Sequence, residues 1–192
     1  MRDSFKHLRV GLSEGNEDAF KSLFLALYPD LCQFSFSLLK SMDIATEIVD
    51  DVFVRLWKSK DAIAEIENIR VYLYKATKNA SLNHLSRIAQ RNIYEQYDDL
   101  EIVLTDDNNP ESLLITNEIL FKIREAVESL PPRCKMIFKL VREDGLKYKN
   151  VAEILNISVK TVDAQMVIAV SQLRKRLKKE VFIKPSKSNK LI

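Results

Sequence analysis

The sequence predicts an all-α protein: two small helical domains joined by an acidic flexible linker, the C-terminal one carrying a helix-turn-helix. Three observations carry this. The 192 residues include only three glycines and five prolines, too few for the turns of an all-β fold. Apolar residues make up 46% of the chain and recur at helical spacing in segment after segment. Residues 91–117 break that pattern, with acids, Asn and Pro in no helical period. The length suits one or two small domains, and the break sets them at 1–90 and 118–180, with a basic tail at 181–192.

Residues 1–15 are a mixed lead-in with room for a short helix ending near Gly11 or Gly15. Asn16 is placed to cap the next helix, and Glu17 and Asp18 fall in its first turn, where the helix dipole favours acids. Ala19, Phe20, Leu23, Phe24 and Leu27 form its apolar face. Pro29 is expected to start another helix, carrying Leu31, Cys32, Phe34, Leu38 and Leu39.

Residues 43–58, DIATEIVDDVFVRLWK, predict a strongly amphipathic helix. Ile44, Ile48, Val49, Val52, Phe53, Leu56 and Trp57 make a wide buried face, with Glu47, Asp50, Asp51, Val54 and Lys58 opposite. An outward acidic cluster of this kind is a solvated face or a docking surface. Residues 61–68 read as a loop, and 69–90 as the last helix of the first domain. There Leu73, Ala76, Ala80, Leu82 and Leu85 are expected to pack inward. Arg70, Lys75, Lys78, Asn79, Asn83 and Arg87 form a polar, basic side without acids, interleaved with Tyr72 and Tyr74. Cations, amides and aromatics together suit phosphates and unstacked bases, although a solvated basic helix has the same composition.

Beyond the linker, 111–129 is helical again, with Leu114, Ile119, Ile123, Ala126, Val127 and Leu130 as core candidates. Pro131-Pro132 breaks the chain, and Pro132 or Arg133 starts a helix with Cys134, Ile137, Phe138 and Val141 on its apolar side. Gly145 is its left-handed stop. Residues 147–179, KYKNVAEILNISVKTVDAQMVIAVSQLRKRLKK, then read as two helices around a tight turn at Asn156-Ile157. Small Ala152 lets the helices cross closely, Asn156 tolerates a left-handed conformation, and Ser158 caps the second helix. Val162, Met166, Ala169, Leu173 and Leu177 form its buried stripe. Opposite stand Lys160, Ala164, Val167, Ser171, Arg174, Lys175 and Lys178, flanked by Thr161 and Gln165. Base-reading side chains lie towards the N-terminal end of that face and phosphate-binding cations towards the other.

The net charge of +3 hides an uneven distribution. Residues 95–118 hold no Lys or Arg, whereas 174–190 hold many cations and the single acid Glu180, which suggests a polyanionic partner. Cys32 and Cys134 lie far apart and His7 and His84 are isolated, so neither a zinc site nor a disulfide framework is expected. With no Gly-rich phosphate loop, metal-ligand cluster or nucleophile–base pair, no catalytic residue, metal or cofactor is assigned, and the chain is not expected to be an enzyme. No apolar run is expected to reach membrane-spanning length. The first residues lack a signal-peptide core, which points to the cytoplasm.

Taken in this order, the segments resemble the extracytoplasmic-function sigma factors, the smallest class of bacterial sigma subunits. The resemblance spans roughly residues 19–87 and 119–177. ATEIVDDVFVRLWK resembles the family's polymerase-docking helix, and VYLYKATKNASLNHLSR its promoter-melting, −10-reading helix. LPPRCKMIFKLVREDGLKYKNVAEILNISVKTV resembles region four, which reads the −35 element, and only the acidic linker stands where region three would be. The resemblance implies that Glu47, Asp50, Asp51 and Val54 contact the clamp helices of the largest subunit of core RNA polymerase, with Trp57 as an anchor. It puts Lys75, Lys78, Asn79, Asn83 and Arg87 towards promoter DNA, and residues 61–69 in the loop that captures a flipped non-template base. Lys160, Thr161, Ala164 and Gln165 fall on the major-groove face, with Arg174 and Lys175 on the phosphates. Two departures stand out: residues 163–168 are nearly free of cations, and Asn83 occupies a position where an acid is common. Also implied are a membrane-tethered anti-sigma inhibitor and a monomer when free. A free-standing helix-turn-helix regulator is the main rival reading. A helical adaptor that binds no DNA is disfavoured by the basic C-terminal half.

Overall fold

The structure, a computed structural model, describes residues 5–59, 63, 65–94 and 114–181. Its helices are α1 (Lys6–Ser13), α2 (Glu17–Leu39), α3 (Met42–Lys58), α4 (Ile69–Tyr94), α5 (Leu114–Glu128), α6 (Pro132–Arg142), α7 (Tyr148–Leu155) and α8 (Val159–Val181). No strand occurs among the described residues. The chain divides into two compact units, one of residues 1–100 with 152–156 and the other of residues 101–151 with 157–192.

In the first unit α2 is central, packed by α1, α3 and α4. Asn16 caps it, Oδ1 accepting the Ala19 N–H at 3.0 Å. The helix does not restart at Pro29: one helix runs through it. An internal proline costs about 3 kcal/mol. Here Leu23 and Leu27 before it, and Leu31, Cys32 and Phe34 after it, are all buried, and packing of both halves outweighs that cost. The break comes instead at Lys40, in the left-handed region with φ 60°, whose N–H donates to the Phe36 carbonyl at 2.9 Å. By length and composition α2 could cross a membrane, contrary to expectation, but it is the core helix onto which the rest of its unit packs.

On α3 the expected buried face is present, with Ala45 added and Ile44 and Trp57 half-buried. Phe53 closes an aromatic cluster with Phe20, Phe24 and Tyr28, and the Trp57 ring lies tilted against Phe20 with centroids 4.8 Å apart. On α4 the inward face differs from the apolar count. Leu82 and Leu85 are exposed and Ala76 and Ala80 half-buried, while Tyr74, Thr77 and Ser81 join Leu73 inside. Tyr74 packs against Phe34, ring centroids 5.3 Å apart, rather than standing on the basic side. Ser81 donates to the Thr77 carbonyl at 2.9 Å, which leaves Ser35 to donate to Ser81 Oγ at 2.9 Å. The Ser35 and Ser81 hydroxyls, satisfied in this way, tolerate burial at a helix contact, whereas Thr77 Oγ1 is buried without a partner. Helix α4 reaches Tyr94 and α5 begins at Leu114, both inside the stretch read as linker. Residues 95–113 and the tail from 182 lie outside the described residues.

In the second unit Ala169 of α8 packs against Leu130 and Cys134, with Phe138 and Leu173 alongside. Ala126, Val127, Ile137, Leu140 and Leu146 are buried too, whereas Ile123, expected inside, is exposed. The side chains of Leu114 and Ile119 lie outside the described set. Gly145 takes φ 64° and turns the chain, and the Leu146 N–H donates to the Leu140 carbonyl at 2.9 Å. Both cysteines are buried, and the Cys134 thiol donates to the Gln165 carbonyl at 3.3 Å.

Glu128 ties α5 to α6 through Lys139 at 2.7 Å and Lys135 at 2.9 Å. Burial pushes its carboxyl up, but hydrogen bonds and attraction from the two lysines win and hold it below its ordinary value of 4.5. The contribution is therefore present above the unfolded carboxyl range and is lost as pH falls through the lower, folded value. Because Glu128 is half exposed, Glu128→Gln is expected to cost no more than about 1 kcal/mol at neutral pH. At a pH low enough to protonate the folded wild-type carboxyl it should cost almost nothing. Urea melts at the two pH values check this, and an equal cost at both would exclude the ion pair.

Candidate nucleic-acid interface

The helix-turn-helix is built by local chemistry. Val151, Ala152 and Ile154 bury α7, and Asn156 turns the chain with φ 55°. Ser158 Oγ then accepts the Thr161 N–H at 2.9 Å. The axes of α7 and α8 meet at 108°, within the range of DNA-binding helix-turn-helix motifs. Val162, Met166 and Ala169 face the core. Lys160, Ala164, Val167, Ser171, Arg174 and Lys175 are exposed on the outer side, and Thr161 and Gln165 are half-buried at its edge. Thr161 Oγ1 shares a 2.8 Å hydrogen bond with Ser158 Oγ, so it is committed to the cap as well as being near the groove face. A cavity of about 370 Å³ opens beside this face, lined by Arg142, Tyr148, Met166, Val167, Val170, Ser171 and Arg174. Arg142 and Tyr148 were not foreseen as part of it. They close α6 and open α7, and only the tertiary fold brings them beside Arg174.

On α4, Lys75, Asn79, Asn83 and Arg87 follow one another at intervals of four and are all exposed, forming one stripe. Lys78 is half-buried on the neighbouring row, and Tyr72 and Leu82 present apolar surface among these polar groups. Arg70 is drawn away from the stripe: it pairs with Asp30 at 3.6 Å and lies 6.0 Å from the Tyr74 ring.

On α3, Glu47, Asp50, Asp51 and Val54 share one outward stripe and are all exposed, Val54 by about half. Asp51 meets Arg55 at 3.9 Å, an exposed i,i+4 pair of small energetic weight. Asp50 accepts a hydrogen bond from the Tyr28 hydroxyl, and the Tyr28 ring stacks on Phe24 at 4.4 Å. Burial first, and then Asp50, push the Tyr28 hydroxyl far above its usual value. Tyr28 belongs to a different helix, so no spacing rule in the sequence links it to Asp50.

Residues 23–91 match the family described as Sigma-70 region 2, and residues 120–173 match Sigma-70, region 4. The chain is 24% identical to the ECF RNA polymerase sigma-E factor of Escherichia coli K12 over 162 residues, covering 81% of this chain and 84% of that protein. It is 23% identical to ECF RNA polymerase sigma factor SigW of Bacillus subtilis 168 over 179 residues, covering 87% and 93%. The fold is shared with the sigma factor RpoE bound to the anti-sigma factor NepR from Bartonella quintana, at TM-score 0.61, 21% identity and 83% and 96% coverage. It is also shared with CnrH in complex with the cytosolic domain of CnrY, at TM-score 0.57, 19% identity and 93% and 99% coverage. Two segments of one family, in order, together span well over half of the chain, and the chain therefore belongs to the sigma-70 family as an RNA polymerase sigma factor of the extracytoplasmic-function class.

Proposed function

We propose that the three stripes divide the work of promoter recognition. The α3 carboxylates Glu47, Asp50 and Asp51, with Val54, dock on the clamp helices of core polymerase. The α4 stripe of Lys75, Lys78, Asn79, Asn83 and Arg87 binds the −10 element and the separated strand. Lys160, Thr161, Ala164 and Gln165 read the −35 element, with Arg174 and Lys175 on its phosphates. The observation that carries this reading is the sorting of chemistry by helix: acids on α3, cations and amides on α4 and a polar-to-basic gradient along α8. Opening DNA costs about a few kcal/mol for each step unstacked. Stacking of extruded bases on groups such as Tyr72, with hydrogen bonds from Asn79 and Asn83, offsets that cost.

In this reading the chain supplies no catalytic group. It works in the cytoplasm as a monomer until it joins core enzyme, with modules at 1–90 and 118–180 spaced by 91–117. Control by an anti-sigma protein is supported by the relatives captured with NepR and with CnrY. That CnrY has a cytosolic domain favours an inhibitor tethered to the membrane.

Run-off transcription with purified core enzyme on pooled genomic fragments tests the assignment, and discrete start sites are expected. No initiation, combined with tight duplex binding in the absence of core, would favour the free-standing regulator. Within region four, Gln165→Ala is expected to cost about 1–3 kcal/mol and relax selectivity at one −35 position. Lys160→Ala should likewise alter −35 recognition, at a cost of about 1–3 kcal/mol. Unchanged titrations at fixed salt would remove both residues from the reading face.

A further inference from the structure

The described residues between α3 and α4 are held from several sides. Ile63 is fully buried, Ile66 half-buried and Ile69 almost fully buried, so every third residue anchors the backbone. The Ile66 N–H donates to the Ile63 carbonyl at 3.1 Å. Asn68 caps α4, its Oδ1 accepting the Val71 N–H at 3.2 Å and its carbonyl the Tyr72 N–H at 3.0 Å. A further hold comes from the far end of the unit: Arg9 Nη1 donates to the Ile66 carbonyl at 3.1 Å across 57 residues.

Arg9 is itself well placed to act as a strut. Leu12, on the same helix, is fully buried, and a Cβ at Gly11 would come within 3.0 Å of the Ala19 Cβ, so α1 lies hard against α2. Helix α1 also precedes the segment matched to Sigma-70 region 2, which starts at residue 23. Glu65 and Glu67 are left facing outward. Carboxylates repel phosphates but accept hydrogen bonds from an exocyclic amino group such as that of cytosine. That chemistry suits the edge of an extruded base better than the DNA backbone.

We infer that Arg9 is a positioning residue for base selection: by holding the Ile66 carbonyl it fixes the backbone that presents residues 65–68 to the flipped non-template base, and so makes α1 part of the −10 specificity apparatus. This rests on the reading of residues 61–69 as the base-capturing loop. Without the guanidinium the half-buried turn loses a charged donor and samples more conformations, so a preferred base gains less over its competitors.

The test uses holoenzyme reconstituted with core polymerase. Its template pool carries a promoter first selected by the wild type and then randomised over the opened segment. Arg9→Ala is expected to lower discrimination at one position about 3- to 10-fold, the worth of one such hydrogen bond. Core affinity and melting temperature should change little, and Arg9→Lys, which keeps a donor, should restore most of the discrimination. Glu65→Gln with Glu67→Gln is the loop's own control. If that pair shifts base preference and Arg9→Ala does not, the role of Arg9 is wrong and the loop reading stands. If neither shifts it, the loop reading falls and takes this inference with it. If Arg9→Ala lowers core binding as much as selectivity, Arg9 is a general fold contact and the inference fails.

Discussion

Asp50→Arg combined with Asp51→Arg is expected to abolish capture of core polymerase while leaving the helical fold intact. Close charge pairs across protein interfaces carry coupling energies of about 1.5–7 kcal/mol. Two reversals should therefore weaken binding by roughly 100-fold or more. The cost to the isolated chain is small, because both carboxylates are exposed. Asp51 gives up only its long, exposed contact with Arg55, of a kind worth about 0.3–0.5 kcal/mol. Asp50 gives up the hydrogen bond from Tyr28, whose ring stays packed between Phe24 and Phe53. The far-ultraviolet spectrum and melting temperature should thus stay close to wild type. A pull-down in which the double variant retains core enzyme as well as wild type would reject the docking role of α3.

Ala169→Glu is expected to act on the other unit. Ala169 is fully buried where α8 meets Leu130 and Cys134. A carboxylate there would be desolvated among apolar side chains, at a cost of several kcal/mol. That is comparable to the whole stability of a small domain, about 5–15 kcal/mol. The helices after residue 113 should lose cooperative unfolding and protease resistance, and binding to −35 duplex should disappear. Core docking through α3 should remain within about 2-fold, since sites that share no partners act independently. Wild-type melting together with wild-type duplex binding would show that α8 is not packed as described.

Sequence reading reached the helix-turn-helix almost completely because its signals are local. Asn156, Ser158 and Gly145 each meet a backbone requirement that few other residues meet. The acid stripe of α3 was legible for a similar reason, since a wide apolar face leaves little choice about what lies opposite. What escaped notice depends on partners distant in the chain. Pro29 carries a local stop signal that burial of Leu23, Leu27, Leu31 and Phe34 overrides. The inner side of α4 is occupied by Tyr74, Thr77 and Ser81, which an apolar count assigns outward, while Leu82 and Leu85 were assigned inward and lie outside. Lys40 adopts a left-handed turn that no Gly or Asn announces. The contacts of Tyr28 with Asp50 and of Arg9 with Ile66 join helices that sequence spacing cannot connect.

The two cysteines carry a physiological consequence. Burial pushes the Cys134 thiol up, and it does the same at Cys32, where it outweighs an opposing hydrogen bond with Tyr28. Thiols in that state present almost no thiolate to peroxide or to disulfide reagents. An oxidative stimulus would therefore find little reactive thiolate on this polypeptide, and a cysteine-based response to one is expected to begin in another molecule.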